Sequence, residues 1–336
     1  MAGAALLLAA ALGTGCAAPP LAPAGVVAGP GAGFSAAIER SLPYTVGVYR
    51  SGDPSAPASR SSADAELLTD VSLGAGIVID AGGLIATAAH VVAGSDPVVV
   101  RLPDERVLPA TRLGVDADTD LALLKVDARW DAPPPLGHSM SLRPGDWVIA
   151  IGEPYGLERS VMAGIVGGAN RHFADDDAVL FIQTSITVNP GNSGGPLVDA
   201  RGAIVGMNLR AVVSPLGMAG LGLALPIELV QQIAAELQSG TAARRPRLGA
   251  LFEDVLPPEA LTAGLARASG AMVRLVRPEG AAMRVGLRVG DIVVGMNGRP
   301  VGGGAELARL LLEWHAAEPL RLIVFRDGGY RELRSP

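Results

Sequence analysis

Apolar residues in this chain are gathered into runs too short to make buried helices, separated by stretches that carry glycine, aspartate and proline. They fall at residues 44–49, 76–80, 84–87, 98–102, 121–126, 147–151, 179–183 and 203–208. Runs of about four to eight residues are strand length, whereas a buried helix needs about ten or more. Many short strands with frequent turn signals predict an all-β barrel or sandwich. One segment differs: between residues 226 and 237, Ile227, Val230, Ile233, Ala234 and Leu237 recur at helical spacing, which predicts an amphipathic helix there.

At 336 residues the chain has room for two or three domains. A hydrophobic content of 49% against 18% charged residues indicates packed cores rather than disorder. The net charge of −6 gives no reason to expect nucleic acid as a partner. Cys16 is the single cysteine, so no internal disulfide supports the fold. An apolar stretch over residues 4–12 leads into Gly13-Thr-Gly-Cys16. It is too short to span a bilayer but suits a signal-peptide core. A cysteine after small residues resembles a bacterial lipoprotein processing site. Export to the periplasm or cell envelope is therefore expected, with a lipid anchor at Cys16 as one form of it.

The segment Asn189-Pro-Gly-Asn-Ser-Gly-Gly-Pro196 places a serine in a turn built from glycine, proline and asparagine. Such a turn exposes the Ser193 hydroxyl and lets the N–H groups of Gly191 and Ser193 converge beside it, as an oxyanion hole requires. A serine hydroxyl needs a base. His90, in Thr87-Ala-Ala-His90, follows a strand-like run and is the best placed of the four histidines. Asp116, Asp118 and Asp120 compete to orient it. Asp120 directly precedes the apolar run that starts at Leu121, so it is expected to be the buried carboxylate, with the other two capping the turn. The order His, Asp, Ser is a recurrent triad order.

Two rival readings fail on pattern. Gly191-Asn-Ser-Gly-Gly195 also matches G-x-S-x-G, but that elbow needs a helix after the serine and a later histidine in the same domain. Here the following residues read as strand, turn, strand. The run Asp116-Ala-Asp-Thr-Asp120 lacks the glycine and glutamate of a calcium loop, with Leu121 and Asp127 at those positions. No metal and no cofactor is expected.

With these residues in view, the chain resembles the HtrA/Deg family of trypsin-like serine proteases. The marks are Gly74-Ala-Gly-Ile77, Thr87-Ala-Ala-His90-Val91, Thr119-Asp120-Leu-Ala-Leu-Leu-Lys125, Gly145-Asp-Trp-Val-Ile-Ala-Ile-Gly152, the Ser193 turn and Leu223-Ala-Leu-Pro226. The resemblance implies a mostly β fold: a chymotrypsin-like double β-barrel followed by a small α+β PDZ domain. The corresponding division is a signal at 1–16, a tether at 17–40, a protease domain at 41–238, a linker at 239–246 and a PDZ domain at 247–336. It also implies catalysis by His90, Asp120 and Ser193, with Gly191, Asn192 and Ser193 forming the oxyanion hole.

Thr187, Val188, Gly206, Met207 and Asn208 are expected to line the specificity pocket. No carboxylate stands among them, so small or medium apolar residues are expected at P1. Ser185 stands where the family usually has an acidic residue. Arg247, Leu248, Gly249 and Ala250 resemble the carboxylate-binding loop of a PDZ domain, which takes an extended peptide as an added strand. The partners implied are unfolded or misfolded polypeptides, C-terminal peptides, and two further copies in a homotrimer with Phe34 and Tyr44 as contacts. A PDZ-based chaperone or adaptor with a dormant protease is the alternative of a different class.

Overall fold

The computed structural model describes residues 33–50, 72–94, 97–153, 159–172, 179–213, 219–240, 248–314 and 318–335. The proposed signal, most of the tether and of the linker, Cys16, Arg247, His315 and most of the loop at 50–70 lie outside them.

A short helix, α1 (Ser35–Ser41), leads into six strands: β1 (Thr45–Arg50), β2 (Ser72–Val78), β3 (Leu84–Ala88), β4 (Val98–Arg101), β5 (Val107–Asp116) and β6 (Leu121–Lys125). They close into a barrel in the order β1-β2-β3-β6-β5-β4. Six more follow: β7 (Trp147–Gly152), β8 (Ser160–Arg171), β9 (Phe181–Thr184), β10 (Pro196–Asp199), β11 (Ile204–Val213) and β12 (Ala219–Pro226). These close a second barrel in the order β10-β11-β12-β9-β8-β7. Closure leaves neither sheet with an open edge.

Helix α2 (Ile227–Gln238) then packs across both barrels, as the apolar spacing predicts. Ile227, Leu229, Val230, Ile233 and Ala234 are buried, and each of the four larger aliphatic side chains contributes about 2 kcal/mol when fully buried. The helix explains why β3 and β6 read as unbroken apolar runs: their outer face is covered as well as their inner one. Leu84 and Leu123 meet Ala234 and Leu237 there. One apolar cluster runs through Ile77 and Leu124 of the first barrel, Ile149 and Met207 of the second, and Ile233 of α2.

The C-terminal residues form a separate sheet with its own core. Its elements are β13 (Ala250–Asp254), α3 (Pro257–Ala263), β14 (Ala271–Val276), α4 (Ala281–Arg284), β15 (Ile292–Met296), β16 (Arg299–Pro300), α5 (Gly304–Glu313), β17 (Arg321–Arg326) and β18 (Gly329–Arg334). The strand order is β13-β14-β15-β17-β18, with β16 paired to β15, so β13 is an edge. Leu180, from the link before β9, is buried in this core with Phe252 and Leu307.

Strands β5 and β8 are absent from the sequence reading. Along β5 no residue is buried, and β8 alternates through glycines at 164, 167 and 168. Neither has the apolar run by which strands were recognised. Phe34 and Tyr44, expected as contacts between copies, have partners within the chain. Phe34 packs on Trp147 at 5.5 Å between ring centres, and Tyr44 Oη donates to the Ala132 carbonyl at 3.3 Å.

Candidate active site

The β3–β6 ladder builds the first half of the site. Ala88 pairs with Leu121, so the next residue on one strand faces the previous one on the other, and Ala89 N–H donates to Asp120 C=O at 2.8 Å. His90 follows in a single 3₁₀ turn, Ala89–Val91. Asp120 has a left-handed backbone, φ 55°, a conformation that aspartate tolerates better than most residues. Its carboxylate turns back on His90: Oδ1 accepts the His90 N–H at 2.8 Å, and Oδ2 lies 2.5 Å from Nδ1. A carboxylate can only accept here, so Nδ1 carries the proton, and in the neutral ring Nε2 is then the nitrogen with the lone pair. Asp120 is less buried than expected. Its side chain is 33% exposed beside a half-exposed His90, because it ends a surface turn instead of pointing into the barrel. Asp116 caps that turn, as expected, accepting the N–H groups of Asp118 and Thr119.

The second half is the nucleophile turn. Asn192 N–H donates to Asn189 C=O and Gly195 N–H to Asn192 C=O, each at 3.0 Å, giving two consecutive tight turns. Gly191 and Gly194 have φ of 99° and 85°. Glycine at 194 is also demanded by space, since a Cβ there would lie 2.5 Å from Thr87 Oγ1 and 2.8 Å from Ala88 N. The turn is therefore pressed backbone to backbone against the end of β3, two residues before His90. Ala75 N–H closes the seam on Ser193 C=O at 2.9 Å. Histidine, aspartate and serine segments thus meet where the barrels touch. Ser193 Oγ itself donates to Leu209 C=O at 3.0 Å, and no hydrogen bond to His90 is formed among the described residues.

The N–H groups of Gly191 and Ser193 have no main-chain acceptor among the described residues. Asn192 must be removed from the expected oxyanion set, because its N–H is committed to Asn189. Its side chain is buried, with Nδ2 4.0 Å from Met162 Sδ.

The expected pocket divides. Thr187 and Val188 are half-buried, and Val188 Cγ2 would lie 3.1 Å from a Cβ on Gly222. Gly206 faces Leu225 C=O and Ile182 inside the barrel wall, and Met207 is fully buried in the shared core. Asn208 clamps the nucleophile turn: Nδ2 donates to Gly195 and Pro196 carbonyls at 3.2 and 2.8 Å, and its C=O accepts Gly194 N–H at 2.7 Å. Strand β11 reaches the serine one residue later, at Leu209, whose C=O accepts the Ser193 hydroxyl at 3.0 Å. Arg210, the first charged and exposed side chain along β11, marks where the strand leaves the barrel interior. Ser185 closes the β8–β9 ladder, its Oγ accepting Ile165 N–H at 2.9 Å and its N–H donating to Ile165 C=O at 3.0 Å.

In the C-terminal unit, Leu248 and Gly249 carbonyls accept N–H groups of Ala282 and Arg277 at 2.7 and 2.8 Å. Gly249 has φ 72° and would meet Gly280 Cα at 2.7 Å if it carried a Cβ. Ala250 is buried and opens β13 opposite Val276. His172 stacks on Phe252 with ring centres 4.6 Å apart, and its Nε2 is 3.2 Å from Phe252 C=O.

Two closed barrels with a Ser/His/Asp cleft on their seam, followed by a small sheet with an open edge, define a trypsin-like peptidase body joined to a PDZ unit. Residues 74–207 match the family of trypsin-like peptidase domains and residues 272–326 match the PDZ domain family. A relative from Ectopseudomonas mendocina (strain ymp), named a probable periplasmic serine endoprotease DegP-like, is 40% identical over 78% of this chain and 56% of its own length. A relative of the same description from Halomonas elongata is 39% identical over 78% of this chain and 55% of its own. The chain thus spans little more than half the length of these curated relatives. Among solved structures, the HtrA-type protease AlgW with tripeptide is 30% identical, covers 90% of this chain and 96% of its own, and has a TM-score of 0.72. A serine endoprotease from Yersinia pestis covers the same shares at 27% identity and a TM-score of 0.57. The chain belongs to the HtrA family of serine proteases.

Proposed function

We propose that this chain is an ATP-independent serine endopeptidase of the cell envelope that cleaves unfolded or misfolded polypeptides. The carrying observation is the double grip of Asp120 on His90, 2.5 Å to Nδ1 and 2.8 Å to the backbone N–H, at the seam where Ser193 stands. Rotation of the Ser193 side chain away from Leu209 C=O brings Oγ to His90 Nε2. His90 takes the proton as Oγ attacks the scissile carbonyl, and Asp120 stabilises the imidazolium. The tetrahedral oxyanion is received by the N–H groups of Gly191 and Ser193. Collapse expels the amine, protonated by His90, and a water molecule then releases the acyl group by the same steps in reverse.

Small or medium apolar residues are the proposed P1 preference, with Val188, Leu209 and Ala211 as walls. The PDZ unit is proposed to capture extended or C-terminal peptides along the edge of β13, a mode of strand addition. Support comes from AlgW structures solved with a tripeptide and a decapeptide. Residues 1–16 are proposed as an export signal, with a lipid anchor at Cys16, and a homotrimer is the proposed assembly. The periplasmic names of the relatives favour the location.

The decisive experiment is casein hydrolysis, without ATP, by the exported chain and its Ser193→Ala variant. Cleavage that persists in the variant removes Ser193 as the nucleophile. One observation favours a second reading, a PDZ adaptor with a dormant protease: the Ser193 hydroxyl is bonded to Leu209 C=O instead of His90. A fluorophosphonate probe separates the two, since a silent Ser193 supports the adaptor.

A further inference from the structure

Glu153 is a buried carboxylate that the catalytic steps do not use. It directly follows β7, and its side chain is 2% exposed. Leaving an anion in the interior is costly unless it is paired and hydrogen-bonded. Both partners come from the other barrel. Tyr49 of β1 donates its hydroxyl to Glu153 Oε2, and Arg101 of β4 forms an ion pair with Oε1 at 2.9 Å. The site is shaped for this carboxylate: Gly47 of β1 has no Cβ where the Glu153 Cδ would lie 2.8 Å away. Burial first, then the bond to Glu153, raises the Tyr49 phenol well above its ordinary range, so it stays a donor.

What the carboxylate holds in place is a main-chain donor. Glu153 N–H donates to Gly191 C=O at 3.0 Å. The two turns at 189–195 close on themselves, so this bond is an outside restraint on the Gly191 carbonyl. The preceding residue fits the same loop, since a Cβ on Gly152 would lie 2.7 Å from Asn192 Cα and 2.9 Å from Gly191 O. Residues 152 and 153 are thus wedged between the first barrel and the turn that carries the oxyanion donors. An oxyanion hole works only when its donors are aimed before charge develops.

We infer that Glu153 is a positioning residue for the oxyanion hole: Tyr49 and Arg101 fix its carboxylate, its N–H fixes the Gly191 carbonyl, and the first barrel thereby sets the aim of the Gly191 N–H. The inference rests on the peptidase reading for its catalytic consequence, but the loop restraint is measurable without it.

The test compares the full chain with Tyr49→Phe, Glu153→Ala and Glu153→Gln. Kinetics on a fluorogenic peptide are normalised to sites titrated by a fluorophosphonate, alongside hydrogen exchange of residues 189–195. Because losing an oxyanion donor outright costs about 10²–10³-fold, the partial misalignment in Tyr49→Phe is expected to lower kcat about tenfold with KM within about twofold. Glu153→Ala is expected to lose more. Glu153→Gln keeps a single acceptor oxygen, so it can still take the Tyr49 hydroxyl while its amide NH2 faces Arg101, and it is expected to fall between Glu153→Ala and the parent. Exchange is expected to quicken at 189–195 in Tyr49→Phe and Glu153→Ala while β10 and β11 keep theirs. Unchanged kcat per titrated site in Tyr49→Phe with unchanged loop exchange overturns the inference. So does faster exchange spread evenly over the second barrel, the mark of a merely structural residue. Should the parent chain neither label nor cleave, the peptidase reading fails and loop exchange alone decides the inference.

Discussion

Asp120 holds His90 at two points, one carboxylate oxygen on the ring Nδ1 and the other on the backbone N–H. The pair is fixed as a unit with the β3–β6 ladder, so tautomer and ring direction are set by the fold. Asp120→Asn keeps the shape and tolerates the left-handed backbone, but its amide cannot hold the same tautomer. It is expected to lower kcat on the order of 10³–10⁴-fold with the fold intact. Peptide hydrolysis with circular dichroism on the same sample checks this, and a loss below tenfold would remove Asp120 from the role.

Ser193→Ala is expected to reduce casein cleavage by at least about 10³-fold and to abolish fluorophosphonate labelling. The lost hydroxyl bond to Leu209 is single and neutral, so stability is expected to change by about 1 kcal/mol or less. Urea unfolding followed by fluorescence measures that second part. A much larger loss would mean that Ser193 supports the seam.

Gly194→Ala tests the seam itself. Its φ of 85° disfavours any side chain, and the Cβ would press on Thr87 Oγ1 and Ala88 N at the end of β3. Strain at such a position costs about 1–3 kcal/mol, with displacement of the barrels in addition. Lower thermal stability and lost activity are both expected. A variant as stable and active as the parent would show that the barrels separate there more easily than the geometry implies.

Tyr49 should titrate late. Its phenol is raised well above the ordinary value of about 10 by burial and by Glu153. A folded-state value raised above the unfolded one contributes stability that is complete below the unfolded value and is lost as pH climbs toward the folded one. Tyr49→Phe should therefore be less stable than the parent below about pH 10, with the gap narrowing at higher pH. Ultraviolet difference titration should show one phenol that ionises only as the chain unfolds. Full ionisation of every tyrosine in the folded protein would contradict this.

Arg326 grips Asp291 with two bonds of 2.6 Å, Nε to Oδ1 and Nη2 to Oδ2, and Asp291 is 1% exposed. Breaking a buried pair by removing one charge costs about 3–5 kcal/mol. Asp291→Asn is expected to bring forward the unfolding of the C-terminal sheet, read by hydrogen exchange of β15 and β17. Unchanged protection there would place the stability of the sheet elsewhere.

The triad segments were legible because each is a short run in which backbone and chemistry agree: a strand end before His90, a turn before Leu121, a glycine turn around Ser193. Strands β3 and β6 were legible because two covered faces make an unbroken apolar run. β5 and β8 were not, since they bury little and are punctuated by proline or glycine. The burial of Met207 within the shared core was not legible, because a strand passing out of a barrel interior carries no local mark of the crossing until Arg210. Asn192 was included with its neighbours because only the turn hydrogen bonds reveal that its N–H is committed. Glu153 reads in sequence as a solvated charge after a strand, and its partners Tyr49 and Arg101 lie far away along the chain. His172 was invisible as a partner of Phe252 for the same reason: contacts between separate sheets leave no periodicity.

Glycines at 152 and 194 stand where neighbouring backbone atoms already occupy the room for a Cβ. No side chain can be added at those two points, so sequence drift in a lineage cannot retune the machinery by degrees there. Variation is left to side chains that stand off those points, Val188 and Arg210 among them. A descendant could alter the surroundings of the cleft while inheriting the fit of strand end and turn whole.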